Sequence, residues 1–172
     1  VLKISNCLNE IEVDGDYIIA GAGATLALVS NVSKNNSLTG MEWACGIPGS
    51  IGGAVYMNAG AYGGQVSDVL ESATVFDTEK CELYTLTKDE MNLSYRHSIL
   101  SDNKNLICVS ATFTLKEGKK NEIDAVMRDL MQRRITKQPL EYPSAGSVFK
   151  RPAPDLFVGK MIEDSGLKGY TV

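Results

Sequence analysis

One histidine, one tryptophan and five prolines are all that this 172-residue sequence holds of those residue types. Its four cysteines, Cys7, Cys45, Cys81 and Cys108, form no CxxC pair. With His97 as the sole imidazole, that spacing offers no zinc site, and no metal is expected. Scattered thiols fit a reducing cytoplasm, two disulfides remaining formally open. Positive charge is in deficit, 17 Lys and Arg against 21 Asp and Glu for a net charge of −4, which argues against a nucleic-acid partner. No apolar run approaches the roughly 20 residues of a membrane helix, and no signal-peptide pattern opens the sequence. A GxSxG elbow is missing, so a triad hydrolase is a poor reading. No methionine stands at Val1, which already reads as strand, and Val172 follows closely on a new apolar-aromatic run. The sequence therefore reads as the middle of a longer protein.

What is present in excess is glycine, concentrated in GIPGSIGGAVYMNAGAYGG from Gly46 to Gly64, seven of nineteen residues. Glycine lets backbone turn left-handed or come close to a ligand. Pro48 fixes one φ at the entrance, and Ala54 to Asn58 can start a short helix. A glycine-rich turn feeding a helix offers unpaired N–H groups to an anion, most often a phosphate. The nucleotide P-loop is excluded because no lysine follows the glycines. GAGA at Gly21 to Ala24 follows an apolar run but lacks the third glycine of the dinucleotide fingerprint.

Short strands are expected at Val1–Ile4, Ile11–Val13 and Tyr17–Ala20. Thr25 can cap a helix over Leu26–Asn35 with Leu28, Val29 and Val32 on one face. Trp43 reads as a packing residue. Val69–Phe76 and Glu82–Leu86 flank the turn Asp77–Lys80 as a hairpin, and Thr87 with Glu90 fits a capping box that starts a short helix. Leu106–Leu115 alternates through Ile107, Val109, Ala111, Phe113 and Leu115 as a half-buried strand. After the charged break Lys116–Lys120, Asn121–Ile135 carries Ile123, Val126, Met127, Leu130 and Met131 at helical spacing. Leu140–Pro154 is irregular, and a last helix over Leu156–Asp164 ends at Gly166. Strands and helices without βαβ alternation make the class α+β.

Candidate chemistry is sparse. Ser147 sits in the turn Ser144–Ser147 beside Lys150 and Arg151, able either to cap local backbone or to pass a proton. Arg96 has the fork geometry that binds a carboxylate, though a surface arginine in a loop reads the same way. His97 reads as a hydrogen-bonded or solvated histidine. Lys137, Lys150 and Arg151 form a loose basic group, suited to solvent or to a substrate phosphate.

Four blocks together go further: MEWACGIPGSIGGAVYMNAGAYGG, LSYRHSIL, RRITKQPLEYPSAGSVFKRP and GKMIEDSGLKGY. In this order they resemble the UDP-N-acetylenolpyruvoylglucosamine reductase (UDP-N-acetylmuramate dehydrogenase) family. The resemblance implies a second FAD-binding subdomain over residues 1–116, a mixed sheet with flanking helices. It implies the start of an α+β substrate-binding domain over 117–172. The family's first FAD subdomain and its catalytic glutamate lie outside the sequence. Implied too is a cytoplasmic, monomeric enzyme of peptidoglycan synthesis that uses FAD and NADPH to reduce UDP-N-acetylglucosamine enolpyruvate. By family correspondence Gly46, Ile47, Pro48, Gly49, Ser50, Ile51, Gly52 and Gly53 hold the FAD pyrophosphate. Ser147 becomes the proton donor and Arg96 the stabiliser of enolate-like charge. Tyr95, Lys137 and Arg151 become substrate contacts, Arg151 standing where some members carry asparagine. Two other readings are another FAD-linked oxidoreductase of the same fold and a non-catalytic fragment that binds a nucleotide-sugar.

Overall fold

The computed structural model describes residues 4, 7–138, 149–153 and 155–170. The chain divides into two compact units, Val1–Gln138 and Pro139–Val172. These units are compact bodies of the fold, whereas the boundary at 116/117 that the resemblance implies is one of function. The helix that follows the charged break at Lys116–Lys120 packs back on the first unit, burying Ile123 and Met127 beside Cys45.

The first unit opens with strands β1 (Ile11–Asp14) and β2 (Tyr17–Gly21), helix α1 (Leu26–Asn35) and the short strand β3 (Leu38–Thr39). Helix α2 (Ile51–Tyr56), strands β4 (Gly60–Ala61) and β5 (Gly64–Gln65), and helix α3 (Val66–Val69) come next. The hairpin β6 (Leu70–Asp77) and β7 (Glu82–Thr87) precedes α4 (Ile99–Asp102), β8 (Leu106–Thr114), β9 (Lys116–Glu117) and α5 (Lys120–Lys137). The main sheet has the order β1-β2-β8-β6-β7, and every pairing in it is antiparallel. The class is α+β, with an antiparallel sheet where a mixed one was expected. Ile18, Ala20, Ala73, Val75, Ala111 and Phe113 turn one face of it toward α1 and α2 to form the core.

Local departures from the sequence pattern have physical causes. Opposite β8 the register of β6 shifts between Thr74 and Val75, which pair with Ser110 and Cys108 and leave Val109 as the extra residue of a bulge. A bulge exchanges the faces of a strand. Leu106 and Cys108 are therefore buried before it and Ala111, Phe113 and Leu115 after it, while Ile107 and Val109 leave the expected apolar row. Around α1, Leu26, Val29, Ser30 and Ser33 are buried and Leu28 is 49% exposed. The two serines tolerate burial because their hydroxyls donate to Met41 O and Leu38 O. Thr87 and Glu90 do make the bonds of a capping box, but only a turn follows. Asn92, at φ 47, leaves the helical region there, and the next helix waits until Ile99. On α5, Val126 of the expected apolar row is exposed rather than buried. The strand expected at Val1–Ile4 lies outside the described residues except for Ile4, which belongs to no strand.

Trp43 is a packing residue as expected: its indole N–H donates to Gly40 O at 2.9 Å. A Cβ on Gly64 would stand 2.3 Å from its ring. In the second unit α6 (Val158–Asp164) is the one helix among the described residues, and none of its residues is buried. It ends as the sequence predicts. Gly166 takes φ 71, its N–H bonds Glu163 O, and Leu167 N–H reaches back to Ile162 O, a Schellman cap.

Candidate functional site

Two glycine-bearing turns meet edge to edge. Past β2 the chain turns through Gly21–Ala24 to Thr25, whose hydroxyl accepts from Leu28 N–H at 3.2 Å and caps α1. The glycine stretch runs alongside in the opposite sense. Leu26 N–H donates to Gly49 O at 3.0 Å, Ile51 N–H to Ala24 O at 2.8 Å, and Gly52 N–H to Ala22 O at 2.9 Å. Close approach is what the glycines allow here. A Cβ on Gly52 would lie 3.0 Å from the Ala22 Cβ, and one on Gly23 would lie 2.3 Å from Cys7 O. α2 itself begins at Ile51, three residues before the sequence suggested, with Ser50 as its N-cap. Glycine is a poor helix former, but burial of Ile51, Ala54 and Val55 against β8 holds the short helix in place.

Gly49 differs from its neighbours, since a Cβ there would meet nothing within 4 Å. Among the described residues, the N–H groups of Gly49 and Ser50 find no protein acceptor. That of Gly53 has only a 3.4 Å bond to Ser50 Oγ. Ile51 and Gly52, by contrast, spend their N–H groups on the seam. The available donors are thus Gly49, Ser50 and Gly53, a cluster of backbone amides suited to an anion. Beside it opens a cleft of about 290 Å3, with Ser50, Gly52 and Gly53 on one wall and Leu100, Ile107 and Cys108 on another. Burial pushes the Cys108 thiol up to about 12, so it is a neutral lining group rather than a nucleophile. Amide donors bordering an apolar cleft fit a cofactor with a phosphate part and a flat apolar part, as FAD has. At the start of the stretch the Arg134 side chain of α5 packs on Gly46, its Cδ lying 3.0 Å from where a Gly46 Cβ would be.

The other end of α2 carries the second cluster. Asn58 follows the helix at φ 41; its N–H bonds Val55 O at 3.2 Å and Ala59 N–H bonds Ala54 O at 2.8 Å. Onto this end folds the turn Ser94–Ser98, closed by reciprocal bonds between Ser94 and His97. Arg96, at φ 56, donates from Nη1 to Asn58 O at 3.2 Å and from Nη2 to Gly60 O at 2.9 Å. Its guanidinium lies 5.2 Å from the centre of the Tyr95 ring. Ser98, buried, donates from Oγ to Tyr56 O at 2.7 Å. His97 pairs with Asp102 at 2.9 Å, a hydrogen-bonded histidine as the sequence suggested.

The fold thus brings Tyr95 and Arg96 to the end of the helix that Gly46–Gly53 begins. Lys137 stands exposed in the last turn of α5. Arg151, in the second unit, lies over the Phe157 ring at 4.6 Å. Ser147 lies outside the described residues. Sequence reasoning missed Asn58 and Ser98, the two buried polar side chains that tie the Ser94–Ser98 turn to the end of α2. The available signal was a lone asparagine just past an apolar helix pattern, at a position where glycine is the usual residue.

Comparison with known proteins gives these clusters a context. The FAD binding domain family matches residues 1–87, and the family of the UDP-N-acetylenolpyruvoylglucosamine reductase C-terminal domain matches residues 138–172. The UDP-N-acetylenolpyruvoylglucosamine reductase of Staphylococcus epidermidis is 55% identical over 96% of this chain and 53% of its own length. That of Staphylococcus aureus is 54% identical over the same shares. A crystal structure of UDP-N-acetylenolpyruvylglucosamine reductase from Thermus caldophilus superposes with a TM-score of 0.83 at 33% identity, covering 96% of this chain and 58% of that one. The chain spans about half the length of the curated relatives it matches. No helix among the described residues is long and apolar enough to cross a membrane.

Proposed function

The chain belongs to the UDP-N-acetylenolpyruvoylglucosamine reductase family, and from that membership we propose that it serves the reduction of UDP-N-acetylglucosamine enolpyruvate to UDP-N-acetylmuramate. Residues 1–87 fall in the FAD binding domain family, and the amide cluster at Gly49, Ser50 and Gly53 fits the FAD diphosphate. The observation that carries the reading is the joining of this cluster to Arg96 through one short helix.

When bound, FAD would supply the hydride-transfer chemistry for reduction of the enolpyruvyl double bond, with NADPH as the reductant. The remaining work falls to this chain's residues. The backbone of Gly46–Gly53 holds the diphosphate, with Gly49 leaving room for it. Arg96, fixed by two backbone carbonyls, meets the negative charge that hydride addition leaves on the carboxylate-bearing carbon and its carboxylate. A preorganised donor of this kind strengthens as charge develops. Ser147 gives its hydroxyl proton to that carbon, which completes reduction of the double bond with one hydride and one proton. Tyr95, Lys137 and Arg151 contact the substrate, the two cations suiting its diphosphate. The functional division remains the FAD half over 1–116 and the start of the substrate half over 117–172, acting in a monomer in the cytoplasm.

In the full-length enzyme, NADPH oxidation should depend on the enolpyruvyl substrate. Ser147→Ala should leave NADPH-dependent bleaching of the flavin near the parent rate. Substrate-dependent recovery of the absorbance should slow by at least ~10²-fold, the lower range for a positioned general acid. Slowed bleaching with unaltered recovery would remove Ser147 from the role of proton donor.

A further inference from the structure

We propose that Asn58 is a positioning residue, whose side-chain amide ties the Ser94–Ser98 turn to the end of α2 and so fixes where the Arg96 guanidinium stands. This rests on the reading that Arg96 meets the charge formed on the substrate.

Asn58 sits at the position after a helix where a left-handed residue is needed and glycine is the usual choice. Glycine is abundant in this stretch, yet here an asparagine stands, 1% exposed and with its amide turned inward. Both ends of that amide are used. Nδ2 donates to Ser94 O at 2.9 Å, with Ser67 Oγ a longer second partner at 3.4 Å, and Oδ1 accepts from Ser67 N–H at 2.9 Å. Its backbone carbonyl, meanwhile, is the acceptor for Arg96 Nη1. One residue therefore holds the turn that carries Arg96 and also the arginine's own head group. Arg96 is itself left-handed at φ 56. A strained backbone at a reacting residue persists only when its surroundings hold it. Ser98 adds a second tie through Tyr56 O, but it lies beyond the tip of the turn, whereas Ser94 precedes it.

The amide is separable from the backbone by substitution. Asn58→Gly keeps the left-handed geometry and the carbonyl but removes the clasp. In the full-length holoenzyme this variant should retain FAD and NADPH-dependent bleaching within about twofold. Substrate-dependent recovery of the flavin absorbance should fall about 10- to 100-fold, the scale of an ~1 Å misplacement. Hydrogen exchange at the amides of Ser94–Ser98 should quicken while that of α2 holds. Asn58→Asp keeps the bond from Ser67 N–H and loses the donor to Ser94 O. It carries the same expectation and stands in if the glycine variant does not hold FAD.

Coupling decides between positioning and general structure. Arg96→Ala should slow recovery on its own, and adding Asn58→Gly to it should change the rate by less than about twofold, because coupled residues are not additive. Equal losses in both backgrounds would overturn the proposal, as would normal recovery in both Asn58 variants. If Arg96→Ala itself left recovery unchanged, the reading of Arg96 would fall first, and the positioning role with it.

Discussion

Two helices of this chain end in the same backbone motif with different residues. α6 closes on Gly166 at φ 71 and α2 on Asn58 at φ 41, each with the paired return bonds of a Schellman cap. At α6 nothing lies within 4 Å of where a Gly166 Cβ would be, and the residue supplies conformation alone. At α2 the same conformation is imposed on an asparagine whose amide has partners at both ends. Glycine does the job of turning the chain with less strain. The presence of a side chain at one end and not the other marks where the chain needs a turn and where it needs a connection. Arg96 lies at the connected end.

The contrast is sharpest when the opposite end of α2 is altered, and there the expected effect is largest. Gly49→Val places a branched side chain in open space, so the fold should tolerate it. The same space is where the diphosphate is proposed to sit. Loss of ~3 kcal/mol of contact would weaken FAD binding more than a hundredfold. Titration of the flavin-free full-length protein with FAD measures it. Gly52→Val is the control, because its Cβ would press on Ala22 and should lower thermal stability as well as affinity. Undiminished FAD affinity in a folded Gly49→Val protein would take the anion site away from this loop and leave only the Asn58 end of α2 with a function.

Much of this architecture can be read from residues. Thr25 at the head of α1, the β6–β7 hairpin across Asp77–Lys80, and the Gly166 stop of α6 are local signals that the tertiary structure leaves in place. What escaped the sequence depends on neighbours. The bulge at Val109 arises from the register with β6, and no alternation within β8 encodes it. α2 starts at Ile51 because burial overrides two glycines in its first turn. The capping box at Thr87 forms its bonds without a helix behind it, since capping closes a turn but does not extend one. The candidate site divides the same way. Glycine density announced the loop, while the seam that uses up the Ile51 and Gly52 N–H groups becomes visible only when Gly21–Ala24 lies beside it.

A second side-chain clasp tests whether charge matters to such ties. Asp77 is 4% exposed and accepts from the N–H groups of Glu79 and Lys80 through Oδ1. The Lys80 N–H, foremost among its partners, holds the Asp77 carboxyl below the usual carboxylate range. A carboxyl lowered in the folded state contributes stability above its unfolded value of about 3.9 and loses it as pH falls through the folded one. Asp77→Asn should therefore flatten the decline of stability with acidification below about pH 4. Asn58→Gly removes an uncharged amide and should leave that slope alone. Urea unfolding of the full-length protein at a series of pH values reads both. An unchanged acid slope in Asp77→Asn would show that the hairpin clasp does not depend on ionisation.

The smallest effect belongs to Gly166, and it bears most directly on the comparison. Left-handed backbone costs an ordinary L-residue about 1–2 kcal/mol, so Gly166→Ala should destabilise the second unit by about 1 kcal/mol. Asparagine is one of the few residues that visit this region readily, so Gly166→Asn should cost less than alanine there. Neither change should alter turnover in the full-length enzyme, because α6 has no buried residue and Gly166 has no close neighbour for a side chain to displace. Unfolding midpoints of the two variants, read beside steady-state NADPH oxidation, separate stability from chemistry. The expected order is parent, then asparagine, then alanine in stability, with the three equal in activity. An asparagine variant that slowed turnover would mean that the α6 end is also a point of connection. Asparagine and glycine at the two helix ends would then no longer distinguish a side chain used as a tie from a backbone that only turns.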